Sequence, residues 1–245
     1  MNTIVHTKRI RTAFAAIVCC FVSIALAQQK VTIHFANKVG DKNLQLVTET
    51  YENSFGETFT VNMFKYYISK IVLVDADTKH YAFPNDYYLV DEADSTSKTI
   101  TLTTSAKRIN DIQFLIGVDS IKNVSGTQTG SLDPMNGMFW TWNTGYVFAK
   151  LQGVSSAAKV AGNQFSWHVG GFKTGENALK FIRLNVGQNI KTKDLVINIE
   201  ADLNQWFGAK NKLKISEHPI CHSPGELAKR FADNYTNMFS ISTTN

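Results

Sequence analysis

Histidine side chains are the groups in this chain best suited to bind a metal ion, because neutral imidazole is a common metal ligand. His34 lies in an alternating apolar run at residues 31–35, and His168 ends a similar run just before Gly170 and Gly171. Successive strand residues point to opposite faces, so each imidazole should face away from its apolar neighbours. The glycine pair allows either a close backbone approach or a β-bulge. A hydrogen-bonded structural histidine is the alternative at both positions.

A second cluster of chemically active residues is His218-Pro-Ile-Cys-His222, which places two histidines and a cysteine within one short loop. Imidazole and thiolate together suit Cu(I) or zinc. Zinc motifs normally add a second matched pair of ligands at a defined spacing, and this chain has none. His222 is therefore a candidate ligand, and Cys221 is either a ligand, a reactive thiol or a small buried apolar residue.

Turn chemistry and aromatic residues meet in the stretch from 130 to 153, where we expect the functional site. Asp-Pro and Asn-Gly within residues 133–137 predict tight turns. Trp140 and Trp142 then alternate with smaller side chains, as expected of a strand. Met135 and Met138 are either thioether ligands or packing residues beside these rings.

These candidates must be positioned by strands, because short β-branched and aromatic runs separated by turns dominate the chain. A helix is predicted near the end, opened by Pro224 and Glu226 and carrying Leu227, Phe231 and Tyr235 at four-residue spacing. Many short strands favour an all-β fold, an antiparallel β-sandwich with a short C-terminal helix. Strands are predicted at 31–35, 44–47, 58–61, 64–74 (with a short helix over 63–69 as the alternative), 87–90, 99–103, 112–116, 146–151, 164–169, 178–186 and 195–201.

The N-terminus has the features of a secretory signal peptide. Lys8, Arg9 and Arg11 precede an apolar run that ends in Ala-Leu-Ala, which predicts cleavage after residue 27. The run is shorter than the roughly 20 residues of a membrane-spanning helix. We therefore expect an exported protein, periplasmic or at the outer surface, with one domain over 28–245. Cleavage removes three of the 25 Lys and Arg residues, leaving 22 against 20 acidic ones.

The near-balanced charge and the absence of a basic run with interleaved aromatics argue against nucleic-acid binding. The sequence has no nucleophile elbow, zinc-protease helix, P-loop or Rossmann fingerprint, so no enzymatic activity is expected. Two alternatives to a metal-binding protein stay open. One is a β-sandwich binding or adhesion module with an aromatic platform. The other is a hydrolase or oxidoreductase, which needs a carboxylate pair or a Ser/His pair in one pocket.

Several motifs, in this order, resemble the MbnP-like family, which is related to proteins of methanobactin operons and to the copper-binding protein MopE. The resemblance covers roughly residues 31–242. It rests on Phe59 to Ile71 with Lys-Tyr-Tyr-Ile, Gly117-Val-Asp-Ser120, the run from Leu132 to Tyr146, His168-Val-Gly-Gly171, Cys221-His-Ser-Pro-Gly225, Ala232-Asp-Asn-Tyr235 and Met238-Phe239.

The resemblance implies a copper-binding β-sandwich with a Cu(I) site, for which His34, His168 and His222 are the expected ligands. It also implies a dihaem peroxidase-like partner that oxidises a tryptophan to kynurenine, which joins the histidines at copper. The Trp-x-His of MopE is absent, since Trp167 directly precedes His168 and points to the opposite face. Trp140 and Trp142 are therefore the candidates for oxidation and copper contact.

Overall fold

Alternation of buried and exposed side chains forms the strands of this protein. The computed structural model describes residues 28–106, 108–140, 145–187 and 194–242. Within these ranges the strands are β1 (Gln29–Val39), β2 (Lys42–Asn43), β3 (Thr50–Glu52), β4 (Thr58–Asp75), β5 (His80–Asp91), β6 (Thr99–Thr104), β7 (Ile109–Ile116), β8 (Phe139–Trp140), β9 (Gly145–Val154), β10 (Gln164–Gly170), β11 (Lys180–Asn185), β12 (Asp194–Asp202), β13 (Ile220–Cys221) and β14 (Phe239–Ile241), and the helices are α1 (Ser120–Val124), α2 (Gln205–Gly208) and α3 (Glu226–Tyr235).

The described strands form two sheets that pack face to face, which confirms the predicted β-sandwich. The smaller sheet has the order β14-β12-β1-β2, with β6 also paired to β1. The larger sheet has the order β11-β7-β4-β9-β10-β13. In addition, β3 and β5 pair with β4, and β8 pairs with β9. Most pairs are antiparallel, but β1 pairs with β12, and β10 with β13, in parallel. The sheets are thus mixed.

Aromatic side chains fill the space between the sheets. Phe35 of the smaller sheet contacts Tyr66 and Phe114 of the larger one, edge to face, with ring centroids 6.1 and 6.2 Å apart. Edge-to-face pairs at this separation add to the stabilisation from burial itself. The inward residues of each strand are therefore fixed by contacts across the core.

The predicted C-terminal helix is confirmed as α3, which closes one end of the core. Phe231 on this helix packs on Trp167 of β10, with ring centroids 4.5 Å apart, and Trp206 of α2 lies nearly parallel to Trp167. The Trp167 indole N–H donates to the carbonyl of His218, 2.7 Å away. Burial of these large rings anchors β10 in one orientation.

Two strand predictions differ from the structure. Residues 44–47 form no strand: Val47 has φ of 68° and is 65% exposed, a left-handed conformation that interrupts a ladder. The runs predicted at 58–61 and 64–74 merge into the single strand β4, with bulges near Val61 and Ser69. The alternative helix at 63–69 is wrong, because this segment is paired on both sides.

The turn chemistry predicted before the tryptophans is confirmed. The Asp133 carboxylate accepts from the Met135 amide, and Gly137 has φ of 71°, the left-handed value that Asn-Gly turns favour. Of the expected aromatic strand, the described part is β8 alone, Phe139–Trp140. Trp142 lies outside the described residues.

The predicted signal peptide, residues 1–27, also lies outside the described residues. Among the described helices, none is long and apolar enough to cross a membrane.

Gly153 provides a test of the packing between β4, β9 and β10. A Cβ at this position would lie 1.9 Å from the Thr60 carbonyl oxygen and 2.6 Å from the Phe165 ring. We expect Gly153→Ala to lower the free energy of unfolding by about 3 kcal/mol or more, because backbone must move. Gly126→Ala, with open space around its Cβ, should lower the free energy of unfolding by only about 1 kcal/mol, from backbone strain. Urea titration of both variants measures these losses. Equal losses in the two variants would contradict this packing.

Candidate metal site

The outer face of the larger sheet carries a row of polar side chains that crosses four strands. Lys65 of β4 pairs in register with Lys150 of β9 and with Asp91 of β5, and Lys150 pairs with His168 of β10. Residues paired in register project to the same face. Because Trp167 faces the core, His168 faces outward. We call Asp91, Lys65, Lys150 and His168 the charged row.

The parallel pairing of β13 with β10 brings His222 to the end of this row. Trp167 pairs with Cys221, and the next residue along each strand is a histidine. The rings of His168 and His222 lie against each other, with centroids 4.3 Å apart and planes 26° from parallel. The structure therefore brings together two of the three predicted histidine ligands.

The Ser166 hydroxyl lies within hydrogen-bond distance of both imidazoles. Ser166 lies two residues before His168 and so projects to the same face. Its Oγ is 2.7 Å from Nε2 of His222 and 3.2 Å from Nε2 of His168. The two Nε2 atoms thus point towards one common position, as a site with two imidazole ligands requires.

Gln152 fixes the state of the His168 ring. Its side-chain amide donates to Nε2 of His168 at 2.7 Å and to Oγ of Ser166 at 3.0 Å. A nitrogen that accepts a hydrogen bond carries a lone pair, so Nε2 of His168 is unprotonated, which is the form that a metal ion binds. Met63 of β4 pairs in register with Gln152, which places a thioether on the same face.

The electrostatic environment keeps both imidazoles neutral. Burial lowers the pKa of His168 to about 3, with further lowering by Lys150 and His222. Burial also lowers the pKa of His222, again assisted by Lys150. Metal ions compete with protons for imidazole nitrogen, so a lowered pKa leaves the site free for metal at acidic pH.

A groove of about 600 Å³ opens beside the pair. Its walls include Ser166 and His222, the side chain of Gln152, and the apolar Phe165 and Ile220. Ile220 is 51% exposed. The His222 side of the site is therefore reached directly from solvent.

Trp140 lies close to the site along β10. Its ring covers Gly170, where an added Cβ would lie 2.9 Å from the nearest ring carbon. The β9–β10 register also shifts between Val169 and Gly170. Both interpretations of the glycine pair, close approach and β-bulge, are thus confirmed. The indole is only 6% exposed and packs two residues beyond His168.

His34 does not join the other two histidines. Its neighbours Ile33 and Phe35 face the core, as expected, and His34 projects from the outer face of the smaller sheet. Its Nδ1 lies 2.9 Å from the Thr99 hydroxyl. His34 lies on the smaller sheet and His168 on the larger one, so the structure does not bring His34 together with His168 and His222.

Cys221 and the two methionines near the turn differ in their exposure to solvent. Cys221 is buried on the core side, and burial raises the pKa of its thiol to about 11, which makes it unreactive. Met138 is buried and Met135 is 90% exposed. Within the described ranges, no group of three or more His, Cys, Asp and Glu side chains could hold a metal ion.

Sequence reasoning missed Ser166, Gln152 and Lys150, which complete the surroundings of the pair. Ser166 is detectable from the sequence as the residue two before His168 on the same strand face. Gln152 and Lys150 have the same two-residue spacing on β9, but no sequence signal gives the register that places them opposite Ser166 and His168.

Fold and site together define an all-β sandwich protein with a pair of neutral histidines on the outer face of its larger sheet. The MbnP family model matches residues 28–223, and the chain belongs to this family. Among solved structures, MbnP from Methylosinus trichosporium is similar, with a TM-score of 0.58 and 19% identity over 77% of this chain and 80% of that one. At this identity the likeness shows a shared fold. No curated protein gives a match.

The lowered pKa of His168 predicts acid-sensitive stability. Unfolded histidine titrates near pH 6.5, so between about pH 6.5 and 3 the unfolded chain binds a proton that the folded chain does not. The free energy of unfolding should therefore fall as pH decreases through this window. His168→Gln should flatten that fall in urea titrations across the window. His34→Gln, on the far face of the sandwich, serves as the control. An unchanged slope in His168→Gln would contradict the lowered pKa.

Proposed function

We propose that this protein is an exported, non-enzymatic copper-binding protein that holds Cu(I) with His168 and His222. The observation that carries the proposal is the convergence of both Nε2 atoms on the Ser166 hydroxyl, at 2.7 and 3.2 Å. Two neutral imidazoles on neighbouring segments of one sheet form the binding site, in which a metal ion replaces the hydrogen bonds that Ser166 and Gln152 make to the two Nε2 atoms. The N-terminal sequence pattern supports export.

The chemistry of the donors suits copper. Imidazole is a good ligand for copper, and soft donors such as thioether favour Cu(I). Met63 projects from the same face as Gln152, the residue that contacts His168. Membership of the MbnP family supports the same metal, because the sequence resemblance links that family to copper handling.

We further propose that Trp140 is the tryptophan converted to kynurenine. Its ring lies over Gly170, on the same strand as His168. One dioxygen molecule, or two molecules of hydrogen peroxide with release of two water molecules, supplies the two oxygen atoms that a dihaem peroxidase-like partner adds across the indole C2–C3 double bond. Water then hydrolyses the N-formyl group and releases formate. The product has gained one oxygen and lost one carbon, and its aromatic amine is an additional donor near the pair.

Metal analysis and intact mass of protein secreted by its own host test this function together. We expect about one copper per chain, from one pair of ligands, and a mass change of one added oxygen and one lost carbon. Peptide mapping should assign the change to Trp140. A metal-free chain with no affinity for added Cu(I) would exclude the copper function, whereas bound copper with unmodified mass would exclude only kynurenine.

Substitution of the paired histidines tests the ligands directly. His168→Ala and His222→Ala should each weaken Cu(I) binding at least about tenfold, the scale expected when a ligand is lost. His34→Ala is the matched control and should retain wild-type affinity, because His34 lies on the other sheet. Affinity measured by competition with a Cu(I) chelator distinguishes these results. Loss in His34→Ala with none in His168→Ala would reject the assignment.

A binding or adhesion module with an aromatic platform is less well supported. Trp140, Trp167 and Trp206 are all buried, so these rings offer no exposed stacking surface.

A second candidate function is hydrolysis, favoured by the Ser166–His222 contact of 2.7 Å beside an open groove. A serine hydroxyl hydrogen-bonded to a neutral histidine is the basic unit of nucleophilic catalysis. A fluorophosphonate probe tests it. Labelling of Ser166 that disappears in His222→Ala would support a hydrolase, and an unlabelled serine would support the non-enzymatic function.

A further inference from the structure

Lys150 is a buried cation without a carboxylate partner in the ion pairs of the described residues. It is only 9% exposed. Its Nζ donates to the carbonyl of Gly137, in the turn before Trp140. Burying a charged group away from water is costly unless another charge compensates it. A cation kept in such a place therefore needs an explanation beyond packing.

The charged row shows where the uncompensated charge acts. Lys65, the next residue in the row, forms an ion pair with Asp91 at 2.8 Å, so its charge is largely neutralised. Lys150 lies between this pair and His168, in register with both Lys65 and His168. Paired positions bring Cβ atoms to about 5 Å. Among the described residues, Lys150 therefore carries the uncompensated positive charge that acts on the two imidazoles.

We propose that Lys150 selects the charge of the bound metal ion, favouring monovalent over divalent ions. This inference rests on the proposed metal site at His168 and His222. The Lys150 ammonium repels any cation held there, and the repulsion is proportional to the charge of that cation. A divalent ion is repelled twice as strongly as a monovalent ion at the same position. Partial burial keeps this repulsion from being screened by solvent and salt.

The charge of Lys150 would provide a selectivity between metal ions that the imidazole ligands alone do not give. Imidazole binds Cu(I), Cu(II) and Zn²⁺, and affinity for divalent ions is highest for Cu(II). A fixed positive charge beside the imidazoles weakens binding of both divalent ions relative to Cu(I). Lys150 touches neither Nε2 atom in the described contacts, so it acts through its charge rather than as a ligand.

Affinities of the mature protein for Ag⁺ and Cu⁺, and for Zn²⁺ and Cu²⁺, test the proposal by competition titration. Lys150→Met keeps the apolar stem and removes the charge. We expect its preference for monovalent over divalent ions to fall about tenfold, from the Coulomb energy of a nearby charge in a partly buried site. Lys150→Arg keeps the charge and should keep most of the preference. Lys30→Met, at an exposed position of β1, is the control for loss of a lysine elsewhere.

A second variant should change the preference between monovalent and divalent ions in the opposite direction without changing Lys150. Asp91→Asn removes the carboxylate that neutralises Lys65, which adds positive charge to the row. The preference for monovalent ions should then rise several-fold. This variant preserves the test if Lys150→Met does not fold by circular dichroism.

The outcomes separate the two proposals. Wild-type protein that binds these ions with an unchanged preference in both Lys150→Met and Asp91→Asn overturns the role of Lys150 and leaves the metal site intact. Wild-type protein that binds none of the four ions overturns both. A changed preference in Lys150→Met that Lys150→Arg restores supports selection by charge.

Discussion

The parallel pairing of β13 with β10 is the contact on which the site depends. It sets Cys221 beside Trp167 in the core, and the next pair outward is His222 beside His168. The Trp167 indole, held by Phe231 and by the His218 carbonyl, locks this register from the inside. A slip of one residue would exchange the inner and outer faces and turn a histidine into the core. The core contacts that fix this register therefore also fix the positions of both candidate ligands.

The electrostatic environment keeps both histidines in the neutral form that a cation can bind. Burial and a neighbouring lysine both disfavour imidazolium, so each ring presents an unprotonated nitrogen. The same lysine opposes any metal ion, and more strongly a divalent one. In the proposed site, neutral imidazoles bind the metal ion, and the fixed positive charge beside them favours monovalent over divalent ions.

Much of this arrangement was predictable from the sequence. Alternating runs predicted the sandwich, the glycine pair allowed the close approach found at Gly170, and histidine chemistry made His168 and His222 candidate ligands. Register was not predictable, because pairing between distant strands is set by core contacts that no local pattern contains. His34 and His168 share the same alternating local pattern, although the two project from opposite faces of the sandwich. Lys150 was hidden for the same reason, since its position opposite His168 exists only in the folded sheet.

X-ray absorption spectroscopy of the mature protein loaded with one equivalent of Cu(I) tests the central claim most directly. The account predicts a monovalent copper edge and outer-shell scattering from two imidazole rings, with one ring lost in either His168→Ala or His222→Ala. A spectrum dominated by sulfur scattering, or one that neither substitution alters, would contradict a copper site built on this histidine pair.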